Sequence, residues 1–267
     1  MVNLKKISLI AMFLIVIGVV GSLLTFHLVD KGGSVQEKKT FNQKNITAIE
    51  VDSDNARVEF VPSKDTVMKV ELSGKGTKND GKDFSAQVEG NTLLVSMQRE
   101  DFQFFHFDLF TKSLTLKVTL PEKQYDSLVV NNDNGYVQIK DLNVKQLDAE
   151  TNNGRVDLKN IVSSNVNVET DNGRLTLDDV SGKITGKTNN GRISIKTTDL
   201  DRSMQLETDN GRIEIKTEKE PTNVAFDVHV DNGHINILDK YEGNAVIGDG
   251  DNLIKLKTNN GRISVTK

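Results

Sequence analysis

The sequence contains no cysteine. Disulfides and thiolate metal sites are therefore excluded, and so is lipoprotein processing, which needs a cysteine to modify. Proline is scarce, three in 267 residues, and Pro62 and Pro121 fall outside the alternating segments described below. Histidine is scarce too. His27, His106, His229 and His234 have no neighbours at metal-ligand spacing, and no serine occupies a nucleophile elbow. Neither sign of charge dominates. Beyond residue 29 stand all but Lys5 and Lys6 of the 34 Lys plus Arg, against all 38 Asp plus Glu. That slight acidity gives no sign of a nucleic-acid or anionic-lipid surface. Helical periodicity is missing from everything after the first thirty residues. Together these absences leave no catalytic residue, cofactor site or metal site to name, and a non-enzymatic chain is expected.

One long apolar run is present. Lys5 and Lys6 precede Ile7 to Phe26, twenty residues without a charge, and Asp30 and Lys31 follow. Twenty helical residues rising about 1.5 Å each match the roughly 30 Å hydrocarbon core of a bilayer. Lysines before the span favour a cytoplasmic N-terminus, with the remainder outside the cell membrane. A cleaved secretory signal is the rival reading, although the apolar stretch is long for one and no small-x-small triplet follows it. The expected organisation is residues 1–6 cytoplasmic, 7–29 a single transmembrane anchor, 30–39 a linker, 40–127 an irregular β part and 128–267 a regular β part continuous with it.

The regular part repeats a phrase. Asn-Gly occurs at Asn134, Asn153, Asn172, Asn190, Asn210, Asn232 and Asn260, each preceded by Asp or Asn. The first five glycines lie 18 to 20 residues apart, and the last two gaps lengthen to 22 and 28. Apolar residues follow each glycine at the second and fourth positions, as in Val156/Leu158 and Ile213/Ile215, with polar residues between. Residues of a strand face opposite sides in turn, so each unit of about 19 residues supplies two half-buried strands to a common core. The irregular part alternates over Val67–Leu72, Asp83–Val88, Thr92–Met97 and Ser113–Leu120, and Asp54-Asn55-Ala56-Arg57 reads as a degenerate repeat with Ala in the glycine slot.

Two folds satisfy this all-β pattern. Asn-Gly is the strongest short hairpin signal, and strand parity on either side of it fits an antiparallel meander. The favoured alternative is a β-solenoid of about 19-residue Asn-Gly coils. A solenoid buries its own interior without a second layer, and it aligns identical residues in columns where stacked amides can bond along the axis. In either fold Asn and Gly would make the corner cheaply through their tolerance of positive φ.

The stretches Ile46-Thr-Ala-Ile-Glu-Val-Asp-Ser-Asp-Asn, Leu116-Lys-Val-Thr-Leu-Pro and the repeated Thr-Asp/Asn-Asn-Gly-Arg resemble the bacterial putative-adhesin family of β-strand-repeat proteins. Its LiaG-like branch, with one N-terminal span before the repeats, is the most similar. The resemblance covers nearly the whole chain and implies a Gram-positive cell-envelope protein, produced under envelope stress, with no catalytic residues to carry over.

Two surface features are candidates for binding. Arg155, Arg174, Arg192, Arg212 and Arg262 follow five of the glycines and would form a row able to meet phosphates or carboxylates of cell-wall polymer. Glu150, Glu169 and Glu207, five positions earlier, are expected to neutralise that row by ion pairs across the corner. Phe102, Phe104, Phe105, Phe107 and Phe110 form a cluster that either plugs the open end of the core or contacts membrane or a partner. The functional expectation is an adhesin-like or wall-contacting module. The alternative is an accessory regulator that contacts a membrane protein of a stress-response system. Self-association through the last strand, Arg262 to Thr266, is a third route, since nothing evident caps it.

Overall fold

Strict alternation followed by identical Asn-Gly corners predicts strands that either fold back or stack, and pairing direction distinguishes the two. The computed structural model describes residues 33–42, 45–76, 83–98 and 113–267, together with Met12, Leu14 and Ile15, which are helical. The expected anchor falls almost wholly outside these residues, and the phenylalanine cluster lies entirely outside them. Among the described residues no helix is long and apolar enough to cross a membrane.

In the regular part the pairing is parallel. The strands are β8 (Gln124–Val162), β9 (Asn165–Val180), β10 (Lys183–Thr197), β11 (Met204–Thr217), β12 (Val224–Ile237) and β14 (Asn252–Thr266). Each strand runs through its Asn-Gly rather than turning back at it. The register sets Asn on Asn and Gly on Gly between neighbours, as in Asn172 on Asn153 and Gly191 on Gly173. A meander would pair the two sides of each Asn-Gly antiparallel, so these coils form a β-solenoid-like stack.

The glycine column has a second cause beside the one expected. None of the Asn-Gly asparagines has positive φ, but Gly135, Gly233 and Gly261 do, at 149°, 153° and 157°. The second cause is the neighbouring backbone: a Cβ on Gly191 would sit 1.8 Å from the carbonyl oxygen of Gly173, and one on Gly211 1.7 Å from that of Gly191. Non-glycine left-handed bends lie at the next corner, on Asp141, Asn160 and Asp179 (φ 52–53°), residue types that tolerate that region. There Asn160 Nδ2 donates to Asp141 Oδ1 at 2.7 Å.

The expected amide ladder is present along the Asn-Gly corner. Each asparagine Nδ2 donates to the Oδ1 of the coil beneath it, from Asn153 on Asn134 at 3.0 Å to Asn260 on Asn210 at 2.9 Å, and Asn232 completes it on Asn260 at 3.0 Å. Inside the corner stand Thr151, Thr170, Thr188, Thr208 and Thr258, all buried. Their hydroxyls have no hydrogen-bond partner among the described residues. Thr170 Oγ1 closely abuts the glycine column, since a Cβ on Gly173 would come within 3.0 Å of it.

Spatial order departs from chain order at the C-terminal end. The coils stack as β8, β9, β10, β11, β14, β12, with β14 paired parallel on both sides. The last strand is therefore not a free edge, and the expectation of self-association through Arg262–Thr266 is overturned. The terminal coil is β12, and β13 (Ala245–Ile247) covers only Val224–Phe226 of it.

The irregular part carries the degenerate repeat as a true coil. β2 (Ala48–Ser53) and β3 (Arg57–Ser63) lie parallel on β8, with Val51 on Val130 and Arg57 on Tyr136. Beyond it one further strand joins each of β2 and β3 in parallel, and the outer pairings are antiparallel. β1 (Gly33–Phe41), β4 (Met68–Gly76) and β7 (Ser113–Pro121) extend one side, and β6 (Thr92–Met97) with β5 (Phe84–Glu89) extends the other. Leu72, Val95, Leu116 and Val118 join the same core as Val156 and Ile213.

Candidate binding surface

The residue after each glycine is exposed or half-buried, because the next position turns inward to Val156, Leu175, Ile193, Ile213 or Ile263. Parallel register then turns a sequence repeat into a spatial row. Arg155, Arg174, Arg192, Arg212 and Arg262 occupy successive coils, about 4.8 Å apart, and His234 takes the slot on the terminal coil. Inserting β14 is what keeps the row continuous, since Arg262 fills the place between Arg212 and His234. A groove of about 610 Å³ follows the row, lined by Gly154, Gly173, Gly191 and Gly211 and by the arginines after them. Its floor is bare peptide.

The other end of the row holds two residues that the sequence reading did not assign to it. Arg57 stands on Tyr136, and the Tyr136 ring lies between guanidinium groups, 4.5 Å from Arg57 and 5.8 Å from Arg155. Tyr136 donates to Asp157 Oδ2 at 2.7 Å and accepts from Gln138 Nε2. Partial burial, reinforced by the Asp157 carboxylate, pushes its hydroxyl up to about 12. The signal available in the sequence was position: both residues directly follow the corner slot, Ala56 or Gly135.

The expected neutralisation across the corner does not occur as described. Glu169 pairs with Lys187 at 3.1 Å and Glu207 with Lys257 at 2.9 Å, both within their own outward column. Those hydrogen bonds hold both lysines above their ordinary range. Parallel register brings that column's own members close together, whereas the corner separates it from the arginines. The arginines meet acids on their far side instead, and only at long range: Arg155 to Asp157 and Arg192 to Glu214, both at 3.9 Å. Arg174, Arg212 and Arg262 have no ion-pair partner among the described residues. Beside the asparagine ladder, the preceding column alternates in space as Asp133, Asn152, Asp171, Asn189, Asp209, Asn259 and Asp231, with each asparagine donating to an aspartate at 2.8–3.2 Å.

Among the described residues no cluster of three or more His, Cys, Asp or Glu could hold a metal ion. The family model described as Toastrack DUF4097 matches residues 46–185 and 135–266. The chain belongs to the Toastrack DUF4097 family. Several solved structures are similar to it at low identity. A "putative cell adhesion protein" from Clostridium sporogenes is 13% identical, covering 88% of this chain and 99% of its own, with a TM-score of 0.43. A "putative adhesin" from Bacteroides fragilis is 13% identical over 86% and 97%, with a TM-score of 0.44. A "putative lipid binding protein" from Parabacteroides distasonis is 12% identical over 88% and 98%, with a TM-score of 0.45. No curated protein matches this Toastrack chain.

Proposed function

We propose that this Toastrack protein is a non-catalytic binding module of the Gram-positive cell envelope, of the LiaG-like kind. It is held at the cell membrane by residues 7–29, with its β-stack outside and wall polymer as its ligand. The observation that carries this reading is the continuous row of Arg155, Arg174, Arg192, Arg212 and Arg262, the first four of which line a groove with a bare backbone floor. Such a surface suits an extended ligand lying along the stack, not a small molecule enclosed in a cavity. The five arginines carry little internal compensation: among the described residues Arg155 and Arg192 meet carboxylates at 3.9 Å, and the other three meet none within ion-pair distance.

The test is crosslinking capture of the intact protein from its native membrane, scored for glycan and protein, beside a variant with all five arginines replaced by alanine. Capture of wall polymer that disappears in the variant supports the module. Capture of a membrane sensor or transporter, unchanged in the variant, overturns it in favour of the accessory-regulator reading.

A further inference from the structure

We infer that the arginine groove takes an acyclic, phosphodiester-linked polyanion, a polyol phosphate chain laid lengthwise along the stack. This deepens the proposed binding role and rests on it. Three features of the groove select the class of ligand.

The first is donor chemistry. Each guanidinium presents up to five N–H donors and no acceptor, and its fork matches the oxygens of phosphate or carboxylate. Arg174, Arg212 and Arg262 have no ion-pair partner among the described residues, so their donors are free for an anion. The second is repetition. Five arginines on successive coils span about 19 Å at roughly 4.8 Å per coil, so a ligand gains by carrying anions at short regular intervals along its own length.

The third feature is the lining, which is glycine backbone and arginine alone. Nucleic-acid strands rely on aromatic side chains on which bases stack, each contact contributing about 1–3 kcal/mol. No aromatic side chain lines this groove. Of the two rings in the row, Tyr136 already has Arg57 and Arg155 over its face, and His234 stands on the terminal coil, outside the groove's lining. Ring-bearing polymers, whether nucleic acids or uronic-acid glycans, thus find charge but no platform. A slim chain with its phosphates in the backbone needs only the charge and the bare floor. The row that edges the groove also has a polarity, running from the Tyr136 stack at one end to His234 at the other.

The experiment uses the full chain in zwitterionic detergent micelles and measures binding of poly(glycerol phosphate) as dimer, tetramer and octamer. Oligothymidylate, polygalacturonate and inorganic polyphosphate are the comparison arms. The expected result is binding that strengthens from dimer to tetramer and weakens with salt. The double variant Arg174→Ala/Arg212→Ala should lose roughly tenfold per arginine, with the salt slope shallower by about one for each. Lys196→Ala/Lys216→Ala removes the same charge from the neighbouring face and should leave binding within about twofold, as both lysines are exposed and off the row. Matching unfolding midpoints for the two variants establish that both are folded.

Equal or tighter binding of oligothymidylate, polygalacturonate or polyphosphate, still lost with Arg174 and Arg212, would overturn the polyol phosphate assignment and leave the binding module standing. Equal loss in the two double variants would overturn the groove as the site. No binding of any polyanion, with wall capture unaffected by the five-arginine variant, would overturn this inference and the wall-binding reading together.

Discussion

The two halves of the β-structure share one core but are held by different rules. In β8 to β12 and β14, parallel register repeats the same contact on every coil, so one tolerated residue type becomes a column. From β1 to β7, β2 and β3 lie parallel on β8 and take β6 and β7 parallel on their other sides, but no Asn-Gly column runs through those pairs, and β1, β4 and β5 close the sheet antiparallel. The difference teaches that the Asn-Gly-Arg phrase is a stacking code and not a turn code. It recurs where backbone rests on like backbone and fades where it does not.

Glycine substitution separates the halves most sharply. Gly191→Ala should cost at least about 4 kcal/mol, because its Cβ would overlap the Gly173 carbonyl, which belongs to backbone and cannot swing aside. Gly90→Ala, in the turn between β5 and β6, meets nothing within 4 Å and has φ of +61°. It should cost only about 1 kcal/mol, from the left-handed conformation alone. Urea midpoints of the full chain in detergent check both, and equal costs would refute the stacking explanation.

The alternating column provides the next test. Asn259→Asp would set three carboxylates on adjacent coils, Asp209, the new one and Asp231, and remove the hydrogen bond to Asp209. A loss of about 1–2 kcal/mol is expected at neutral pH. The electrostatic share should shrink as salt screens the exposed carboxylates. Urea midpoints of the variant and the natural chain at low and high salt check it.

A smaller effect of opposite sign is expected inside the corner. Thr170 is buried with an unpartnered hydroxyl, and the terminal coil already carries Val230 in that column, stacked on Thr258. Thr170→Val should stabilise by about 1 kcal/mol, through relief of the buried hydroxyl's desolvation. The smallest effect is spectroscopic. Tyr136 should ionise near pH 12 in an absorbance titration, and Tyr136→Phe should remove that step. Because its folded pKa lies above the ordinary value near 10, its contribution to stability is intact below pH 10 and fades as pH rises towards 12.

Much of this was legible in the sequence. Alternation located the strands, and identity of the repeats pointed to columns, an amide ladder and a row of arginines. Pairing direction was not decided, since inward parity around Asn-Gly is the same for a hairpin and for a stacked coil. Coil order was also hidden, because chain order and spatial order agree only from β8 to β11. Two signals marked the break. The glycine gaps lengthen to 22 and 28 residues at the end of the chain. The residue before Asn-Gly, alternating until Asp209, then repeats as Asp231. Placing Asn259 between these aspartates restores alternation in space, which gives the inserted strand an electrostatic reason. The pairing of Glu169 and Glu207 with lysines is not visible in the sequence, because Lys187 and Lys257 become their neighbours only through stacking.

The order of the last coils is the claim on which the continuous arginine row depends, and a chain without cysteine allows a clean measurement of it. Gln205, Lys255 and Asp227 are exposed in one outward column, with Lys255 paired in register to each of the other two. Cysteine pairs at 205/255 and at 255/227 fall within the 4.4–6.8 Å range of roughly typical disulfide Cα separations, while 205/227, two coils apart at about 9.6 Å, does not. Under mild oxidation Gln205→Cys/Lys255→Cys and Lys255→Cys/Asp227→Cys should close within one chain, and Gln205→Cys/Asp227→Cys should not. Ready closure of 205/227 with failure of 205/255 would place β12 directly on β11 and contradict the inserted strand.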